Sequence, residues 1–270
     1  MKAVIPIAGL GTRMMSITKG AAKEMLPIFN KPIIHHIIDE CIESGFYDLI
    51  FISNSSKKAV QSSIEQYVKN ILPTAITIDS KTKNTLTFDE SLTIKTQFVF
   101  QNSPKGLGDA IKCAGSHVDS EPFAVILPDI LISSGSYKSK TPYLKMMKAE
   151  FHKTQLSQIL VHPVDMSEIE KYGVAYCTDD YATKIVTVVE KPKRTEAKSN
   201  LAIVGRYILS YEIIGCLEKT YSGHNKEIQL TDALQMLIDL EGSHIYKMND
   251  SFIDYGNIKG WSQVNAALCQ

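Results

Sequence analysis

A glycine-rich loop follows directly on the first predicted strand of this chain. The strand, Lys2–Ile7, is short and mostly apolar, and it runs straight into the segment Ala8–Arg13, which has glycines at its second and fourth positions. Because glycine has no Cβ, the backbone N–H groups of such a loop can approach a phosphate closely. Arg13 and Lys23 can then meet the same negative charge. The pattern predicts a site for a nucleoside triphosphate at the end of a buried strand.

Two common phosphate-binding motifs do not match this loop. A P-loop places Lys and then Ser or Thr after its second glycine, whereas Gly11 is followed by Thr12 and Arg13. A dinucleotide fingerprint needs a third glycine, where this chain has Met14, and an acidic residue after the second strand, which here ends in Ser53-Asn54. A hydride-transfer enzyme is therefore disfavoured. The loop taken alone is also compatible with an ordinary tight turn.

Charge, cysteine content and hydropathy exclude several classes of protein. The 270 residues suffice for one large domain or for one domain with a subdomain. Lys+Arg and Asp+Glu are balanced at 29 each, so no global field favours nucleic acid or an anionic membrane. Five scattered cysteines argue for reduced thiols and against a disulfide framework or a thiolate zinc site. The N-terminus does not resemble a signal peptide, and no apolar run approaches the length of a membrane span. We expect a soluble, cytoplasmic protein with neither a nucleic-acid nor a membrane partner.

Apolar strand-like runs alternate with helical periods along the sequence, which is typical of βαβ units. The predicted strands are Lys2–Ile7, Leu49–Ile52, Thr96–Phe100, Phe123–Leu127, Gln158–Val164, Val174–Cys177, Ile185–Glu190, Leu201–Leu209 and His244–Met248. The predicted helices are one from Pro32 to just before Gly45, Lys58–Lys69, Leu107–Ala114, one capped by Thr141-Pro142, Leu230–Ile238 and Trp261–Leu268. The polar stretch Pro73–Leu92 is interpreted as a surface excursion or flap. We predict an α/β fold with a Rossmann-like mixed, mainly parallel sheet flanked by helices, and a small β-rich region in its later part.

Two carboxylates are candidate metal ligands. Asp129 follows the strand Phe123–Leu127, and ligands of open α/β sheets bind beyond the carboxyl ends of the strands. Asp254 lies in the segment Phe252–Asn257 near the other end of the sequence. Mg²⁺ is a hard cation that prefers one or two carboxylates together with phosphate oxygens. A pair from distant strand ends could hold one Mg²⁺ ion, although each residue alone could also be a cap or turn residue.

An amide side chain and two glycines follow the strand Thr96–Phe100. Gln101 carries both a donor and an acceptor, as needed to match the edge of a pyrimidine base. Gly106 or Gly108 could bring a backbone group to the same base. The alternative is an ordinary entry from a strand into a helix, with glycine for tight packing.

The sequence Glu190-Lys191-Pro192 ends another predicted strand. The carboxylate of Glu190 could accept hydrogen bonds from the hydroxyls of a sugar, while Lys191 meets a sugar phosphate. Pro192 turns the chain so that neither residue continues into a ladder. Gly173 could bring bare backbone to the same sugar. A surface ion pair and an ordinary turn are the alternatives.

Taken together, these segments resemble the sugar nucleotidyltransferases, which join a sugar 1-phosphate to a nucleoside triphosphate. The signature of that family is Gly-x-Gly-Thr-Arg followed by Lys-x-Met/Leu-x-Pro, and both motifs are intact, at Gly9–Arg13 and Lys23–Pro27. Two later segments, Ser199–Tyr207 and Glu227–Ala233, resemble the bacterial UTP–glucose-1-phosphate uridylyltransferases in particular. The matching segments run nearly from end to end of the sequence.

The resemblance implies transfer of a uridylyl group from UTP to glucose 1-phosphate with Mg²⁺. It implies one nucleotidyltransferase domain over residues 1–270, with a mainly nucleotide-binding half (1–135) and a mainly sugar-binding half (136–270). The implied nucleotide-binding residues are Ala8, Gly9, Gly11, Thr12, Gln101 and Gly106. The implied catalytic residues are Arg13, Lys23 and Lys191, the sugar-binding residues Gly173, Glu190 and Lys191, and the metal ligands Asp129 and Asp254. The apolar C-terminal helix and the polar flap would suit a homodimer or homotetramer.

The sequence departs from the family pattern in three places. The stretch Met14–Ala22 lacks the expected prolines, the stretch Lys57–Phe98 diverges, and Tyr255 stands where the family has a small residue or Cys. Two alternative functions stay open. One is the same chemistry with another sugar 1-phosphate or with dTTP or CTP, and the other is a non-catalytic protein that binds nucleotide sugars. The presence of every charged residue that the reaction needs speaks against the second.

Overall fold

A computed structural model describes residues 1–77, 93–133, 142–178, 183–221 and 227–268. The strands are β1 (Ala3–Pro6), β2 (Pro27–Ile28), β3 (Lys31–Pro32), β4 (Asp48–Ser53), β5 (Lys95–Phe100), β6 (Phe123–Ile126), β7 (Ile130–Ser133), β8 (Ser157–Pro163), β9 (Gly173–Cys177), β10 (Ile185–Glu190), β11 (Leu201–Leu209), β12 (Ser243–Lys247) and β13 (Ser251–Asp254). The α-helices are α1 (Met15–Thr18), α2 (Ile33–Glu43), α3 (Lys58–Thr77), α4 (Leu107–Cys113), α5 (Tyr143–Thr154), α6 (Glu212–Lys219), α7 (Leu230–Glu241) and α8 (Ile258–Leu268).

One mixed sheet forms the centre of the fold. Its path of neighbouring strands is β10-β9-β11-β6-β1-β4-β5, with β8 also paired to β11 and β12 paired to β8. Pairing is parallel through β6, β1, β4 and β5 and again between β8 and β12, whereas β11 pairs antiparallel with β6, β8 and β9. The predicted Rossmann-like α/β fold is confirmed, and strands β8–β12 of the later part of the chain belong to the same sheet, whereas β13 pairs with β7 in a separate two-stranded sheet.

Helices cover both faces of this sheet because its central strands are apolar on both sides. Successive strand residues point to opposite faces. Val4 of β1 packs in one core with Ile111 of α4 and Leu234 of α7. Ile5, the next residue along β1, packs in the other core with Ile37 of α2. Across the described ranges, none of the helices combines the length and the apolar character that a membrane span needs.

Most predicted elements lie close to the observed ones, two predicted bounds are wrong, and Thr141 of the predicted cap lies outside the described residues, while Pro142 precedes the first residue of α5. The excursion predicted from Pro73 begins too early, because α3 stays helical to Thr77. The rest of that excursion, 78–92, lies outside the described residues. Pro32 is not the first residue of α2. It sits in β3 with φ −55° and ψ 147° and precedes the helix, because an extended ψ is incompatible with a helical turn.

A bulge in β11 brings that strand against the end of β6. The register of β11 against β8 shifts between Ile203 and Tyr207, and Gly205 between them has a φ of +67°. A Cβ on Gly205 would lie 2.9 Å from the Cβ of Leu127, while the Leu127 N–H donates to the Gly205 carbonyl at 2.9 Å. Only glycine suits both the left-handed backbone and the close approach. The bulge therefore fixes the backbone just before Asp129.

Candidate active site

The glycine-rich loop is held in place from two sides. Gly11 has a left-handed φ of +65°, and a Cβ there would lie 3.3 Å from Cγ of Lys23, so the loop packs against that side chain. The chain then enters a 3₁₀ turn at Thr12–Met14. On the other side, Nδ2 of Asn54 donates to the Ala8 carbonyl oxygen at 2.6 Å. Two neighbouring strand ends, those of β1 and β4, thus position the loop.

Lys23 forms an ion pair with Asp129. Nζ of Lys23 lies 3.0 Å from Oδ2 of Asp129. Burial alone would lower the pKa of Lys23, but the charges of Asp129 and Glu24 outweigh it and raise this pKa above its usual value. Burial alone would raise the pKa of Asp129, but Lys23 and, to a lesser extent, Arg13 hold it below its usual value. Both members of the pair are therefore charged near neutral pH.

A buried ion pair supports the segment that carries Lys23. Nζ of Lys57 donates to Oε2 of Glu24 at 2.6 Å, and the two side chains are only 5% and 1% exposed. Removing one partner of such a pair leaves the other charge buried and uncompensated, which is strongly destabilising. The pair therefore ties the 3₁₀ turn Lys23–Met25 to the turn that follows β4.

Three charged side chains converge beside Gly256. A Cβ on Gly256 would lie 3.0 Å from Oδ1 of Asp254, 3.1 Å from Nη2 of Arg13 and 3.2 Å from Oδ2 of Asp129. Burial and the neighbouring charge of Asp129 raise the pKa of Asp254 above its usual value. The two carboxylates predicted as metal ligands thus lie together, with the guanidinium of Arg13 next to them.

The backbone on both sides of Asp129 is bound by a buried arginine. Arg206 follows the bulge in β11 and donates to the carbonyl oxygens of Leu127 at 3.0 Å and Ile130 at 2.8 Å. Its guanidinium also forms a two-point ion pair with the carboxylate of Glu40 in α2, at 2.8 and 2.9 Å. Because Arg206 is fully buried, the carboxylate of Glu40 is needed to compensate its positive charge. Arg206, held by Glu40, therefore fixes the loop that carries Asp129.

Tyr255 binds the same loop at a different point. Its hydroxyl donates to the Pro128 carbonyl oxygen, and its backbone N–H donates to the Asp129 carbonyl oxygen at 3.1 Å. The side chain is buried and packs in a small core beside α8. A small residue or Cys lacks the reach for the first of these bonds. The departure from the family pattern at this position therefore adds a support for Asp129.

Replacing Tyr255 with phenylalanine is expected to lower the free energy of unfolding by about 1–3 kcal/mol, because the Pro128 carbonyl loses its donor while it stays buried. Urea denaturation measures the change. Tyr221→Phe is the matched control, since Tyr221 is 89% exposed, and its midpoint should stay at the wild-type value. Equal midpoints for both variants would show that the buried bond does not stabilise the loop.

Gln101 lies buried at the end of β5, beside the turn that leads into α4. Its Nε2 donates to Oδ2 of Asp109 at 2.7 Å and to the Gly106 carbonyl oxygen at 3.2 Å. Gly106 has a φ of +100°, and a Cβ there would lie 2.8 Å from the Ile228 carbonyl oxygen and 2.9 Å from Cβ of Glu227. The amide and the glycine that were predicted to contact a base therefore meet in a tightly packed turn.

Glu190 and Lys191 face the same space at the end of β10. Nζ of Lys191 lies 3.2 Å from Oε1 of Glu190. Adjacent residues of a regular strand would point to opposite faces, but Lys191 has a left-handed φ of +44°, which breaks the pleat one residue before Pro192. The hydroxyl of Thr231 in α7 donates to Oε2 of Glu190 at 3.2 Å. A Cβ on Gly173 would lie 3.3 Å from that same oxygen, so glycine keeps the carboxylate accessible.

These residues line two adjoining cavities of about 480 Å³ each. The first cavity contains Ala8, Gly9, Gly11, Thr12, Lys23, Gln101 and Gly106. The second cavity contains Arg13, Gly173, Glu190, Lys191, Thr231 and Asp254. Asp129 lines both cavities. The structure therefore brings together the predicted site residues with the exception of Gly108, which lines neither cavity and packs against Ile228, and it places Asp129 at the junction.

Sequence reasoning missed several residues that shape these cavities. Asn54 stands at a strand end, where the rule that singled out Asp129 applies equally. Thr231 is hidden in the apolar pattern of α7, which by itself indicates only core packing. Lys171 lines the second cavity, and nothing in the local sequence distinguishes it from a surface lysine. Its Nζ forms an ion pair with Glu168.

The fold and the paired cavities agree with a comparison to protein families. The family model for nucleotidyl transferases matches residues 2–270. The chain therefore belongs to the nucleotidyl transferase family.

Comparison with individual relatives shows which members of the nucleotidyl transferase family the chain is similar to. The chain is 40% identical over 273 residues to the UTP–glucose-1-phosphate uridylyltransferase of Haemophilus ducreyi, covering 97% of this chain and 91% of the relative. It is 41% identical over 272 residues to the Escherichia coli enzyme of the same name, with coverages of 97% and 88%. A UDP-glucose pyrophosphorylase complexed with UDP-glucose superposes with a TM-score of 0.83 at 32% identity, covering 99% of this chain and 98% of that one. The resemblance to the bacterial uridylyltransferases is thereby confirmed.

Proposed function

We propose that the protein transfers the uridylyl group of UTP to glucose 1-phosphate, giving UDP-glucose and pyrophosphate. The observation that carries this proposal is the pair of cavities that share Asp129. The first cavity has the glycine-rich loop and Lys23 for a triphosphate, and the second has Glu190 and Lys191 for a sugar phosphate. A reaction between two phosphate-bearing substrates needs such adjacency, because the reacting atoms must be held in contact. The relatives described above are named for this reaction.

The transfer forms one P–O bond and breaks another. A phosphate oxygen of glucose 1-phosphate attacks the α-phosphorus of UTP. The bond from that phosphorus to the oxygen that bridges the α- and β-phosphates breaks, and pyrophosphate leaves with the electron pair. The attacking oxygen is already anionic near neutral pH, so the reaction needs no general base. The protein's contribution is alignment of the two substrates and neutralisation of the developing charge.

Three cationic side chains are positioned to bind different parts of the two substrates. Arg13 and Lys23 flank Asp129 beside the glycine-rich loop, where the triphosphate binds. Lys191 lines the second cavity, where it binds the phosphate of the sugar. Glu190 accepts hydrogen bonds from the sugar hydroxyls, and Thr231 holds its carboxylate in place.

The carboxylates of Asp129 and Asp254 are proposed to hold Mg²⁺. Both supply the hard oxygen donors that this ion prefers, and Oδ1 of Asp254 and Oδ2 of Asp129 lie close together beside Gly256. Among the described residues, no group of three or more His, Cys, Asp or Glu side chains could hold a metal ion, so the remaining ligands would be phosphate oxygens. When bound, Mg²⁺ supplies charge neutralisation and alignment of those phosphate oxygens.

Incubation of the purified protein with UTP, glucose 1-phosphate and Mg²⁺ tests the proposal. UDP-glucose and pyrophosphate should form in equal amounts, and UTP alone should give neither product. Anion-exchange chromatography detects the nucleotide sugar, and a coupled assay detects pyrophosphate. Tight binding of UDP-glucose without turnover would instead support the non-catalytic alternative.

Replacing Glu190 with glutamine is expected to raise the KM for glucose 1-phosphate about tenfold, because the sugar hydroxyls lose a charged acceptor. The affinity for UTP should stay nearly unchanged, since Glu190 does not line the first cavity. Calorimetry with each substrate separates the two effects. Glu196→Gln is the matched control, because Glu196 is exposed in the same segment and lines neither cavity. An equal loss of UTP affinity in Glu190→Gln would exclude Glu190 as a sugar ligand and would point to the metal instead.

A cytoplasmic location and a homodimeric or homotetrameric state complete the proposal. Cys41, Cys113 and Cys216 carry free thiols, which is typical of a reducing compartment. Light scattering after size-exclusion chromatography tests the oligomeric state.

A further inference from the structure

The side-chain amide of Gln101 has a fixed orientation. Its Nε2 has two hydrogens, and it donates to Oδ2 of Asp109 at 2.7 Å and to the Gly106 carbonyl oxygen at 3.2 Å. Both partners are acceptors without a hydrogen to donate, so the nitrogen of the amide, and not its oxygen, must face them. Gln101 is only 6% exposed and lines the first cavity. The oxygen Oε1 is therefore the polar atom of this amide that is left for a ligand.

We propose that Asp109 is a positioning residue that sets the base specificity of the site by holding the Gln101 amide in this orientation. The proposal rests on the proposed function, in which Gln101 contacts the base. Uracil and thymine present a donor at N3, whereas cytosine presents an acceptor there. An amide that can offer only an oxygen pairs with the first kind of base and leaves two acceptors facing each other with the second. Discrimination against CTP then comes from an unfavourable contact as well as from a favourable one.

Asp109 also occupies the first turn of α4, where a carboxylate favours the helix through its dipole. That role alone would affect stability and would not distinguish one base from another. Glu212 occupies the equivalent first turn of α6, is exposed and lines neither cavity. It therefore supplies a matched control for the helix effect.

Replacing Asp109 with asparagine keeps the shape of the side chain but lets it offer either an N–H or an oxygen to Gln101. Only the longer of the two bonds, the one to the Gly106 carbonyl at 3.2 Å, then opposes rotation of the Gln101 amide, so Nε2 can be presented to the base in a larger share of molecules. Calorimetry of UTP and CTP binding, which needs no turnover, should show that the ratio of the two dissociation constants, CTP over UTP, falls about tenfold in Asp109→Asn. Glu212→Gln should leave the ratio unchanged. Asp109→Glu keeps an acceptor-only group and should retain most of the preference.

Gln101→Ala separates failure of this inference from failure of the base assignment. If Gln101→Ala lowers the ratio while Asp109→Asn and Glu212→Gln both leave it at the wild-type value, Asp109 does not set the specificity and the base assignment stands. If Gln101→Ala also leaves the ratio unchanged, Gln101 does not contact the base and both statements are wrong. A similar fall in Asp109→Asn and Glu212→Gln would show a general effect of helix charge and would overturn the positioning role.

Discussion

Replacing Arg13 with alanine is expected to lower kcat/KM for UTP about 10²–10³-fold, or roughly 3–4 kcal/mol of transition-state stabilisation, as for the loss of one preorganised donor to developing charge. The guanidinium lies beside both Asp129 and Asp254, at the junction of the two cavities. Arg13→Lys should also lose activity, because an ammonium lacks the planar fork that binds two phosphate oxygens at once. Steady-state kinetics with varied UTP measures both variants.

Arg13 is exposed, and Asp129 keeps its ion pair with Lys23 when Arg13 is removed, so the thermal midpoint should change little. Lys58→Ala is the matched control, because Lys58 is an exposed cation after β4 that lines neither cavity. It should keep the wild-type rate. A wild-type value of kcat/KM in Arg13→Ala would show that Arg13 does not act on the triphosphate.

Replacing Asp129 with asparagine is expected to lower kcat by a factor on the order of 10³, or roughly 4 kcal/mol, because the site loses the charge of the proposed metal ligand and Lys23 loses its counter-charge. The Mg²⁺ concentration for half-maximal activity should rise steeply. Calorimetric titration of UTP at several Mg²⁺ concentrations gives a readout that does not depend on turnover.

Asp254→Asn is the comparison, because Asp254 shares the same space without the Lys23 contact. Asp254→Asn should lower kcat less than Asp129→Asn does. If Asp129→Asn responds to Mg²⁺ like the wild-type protein while Asp254→Asn does not, Asp254 is the main ligand and the assignment made here is reversed.

The sequence predicts those parts of the fold in which one local pattern decides the structure. Ile185–Glu190 and Leu201–Leu209 are observed with the predicted bounds, since long apolar runs next to polar turns leave few alternatives. The sequence pattern did not predict α6, which spans only eight residues and contains Gly215, a poor helix former. It also missed β7, whose pairing with β13 depends on residues that are far apart in the sequence.

In the candidate site too, local sequence motifs could be predicted and long-range contacts could not. Gly9, Gly11, Arg13 and Lys23 form a local motif, and Asp129 follows from its place at a strand end. The supports of Asp129 could not be predicted, because Arg206 and its partner Glu40 are 166 positions apart and meet only through the bulge in β11. A buried arginine in an apolar strand gives no sequence signal of what it contacts.

Pyrophosphate release should be measured with UTP, dTTP, CTP, ATP and GTP in turn, in the presence of Mg²⁺ and glucose 1-phosphate. This measurement tests most directly whether the two cavities bind the proposed substrates. UTP should give the highest kcat/KM. CTP and both purine triphosphates should fall at least about tenfold below it, because they leave polar groups of the first cavity unpaired, and dTTP should lie closest to UTP because it differs from it at the base only by a methyl group. A preference for ATP or GTP, or no pyrophosphate from any of the five nucleotides, would contradict the proposed uridylyl transfer.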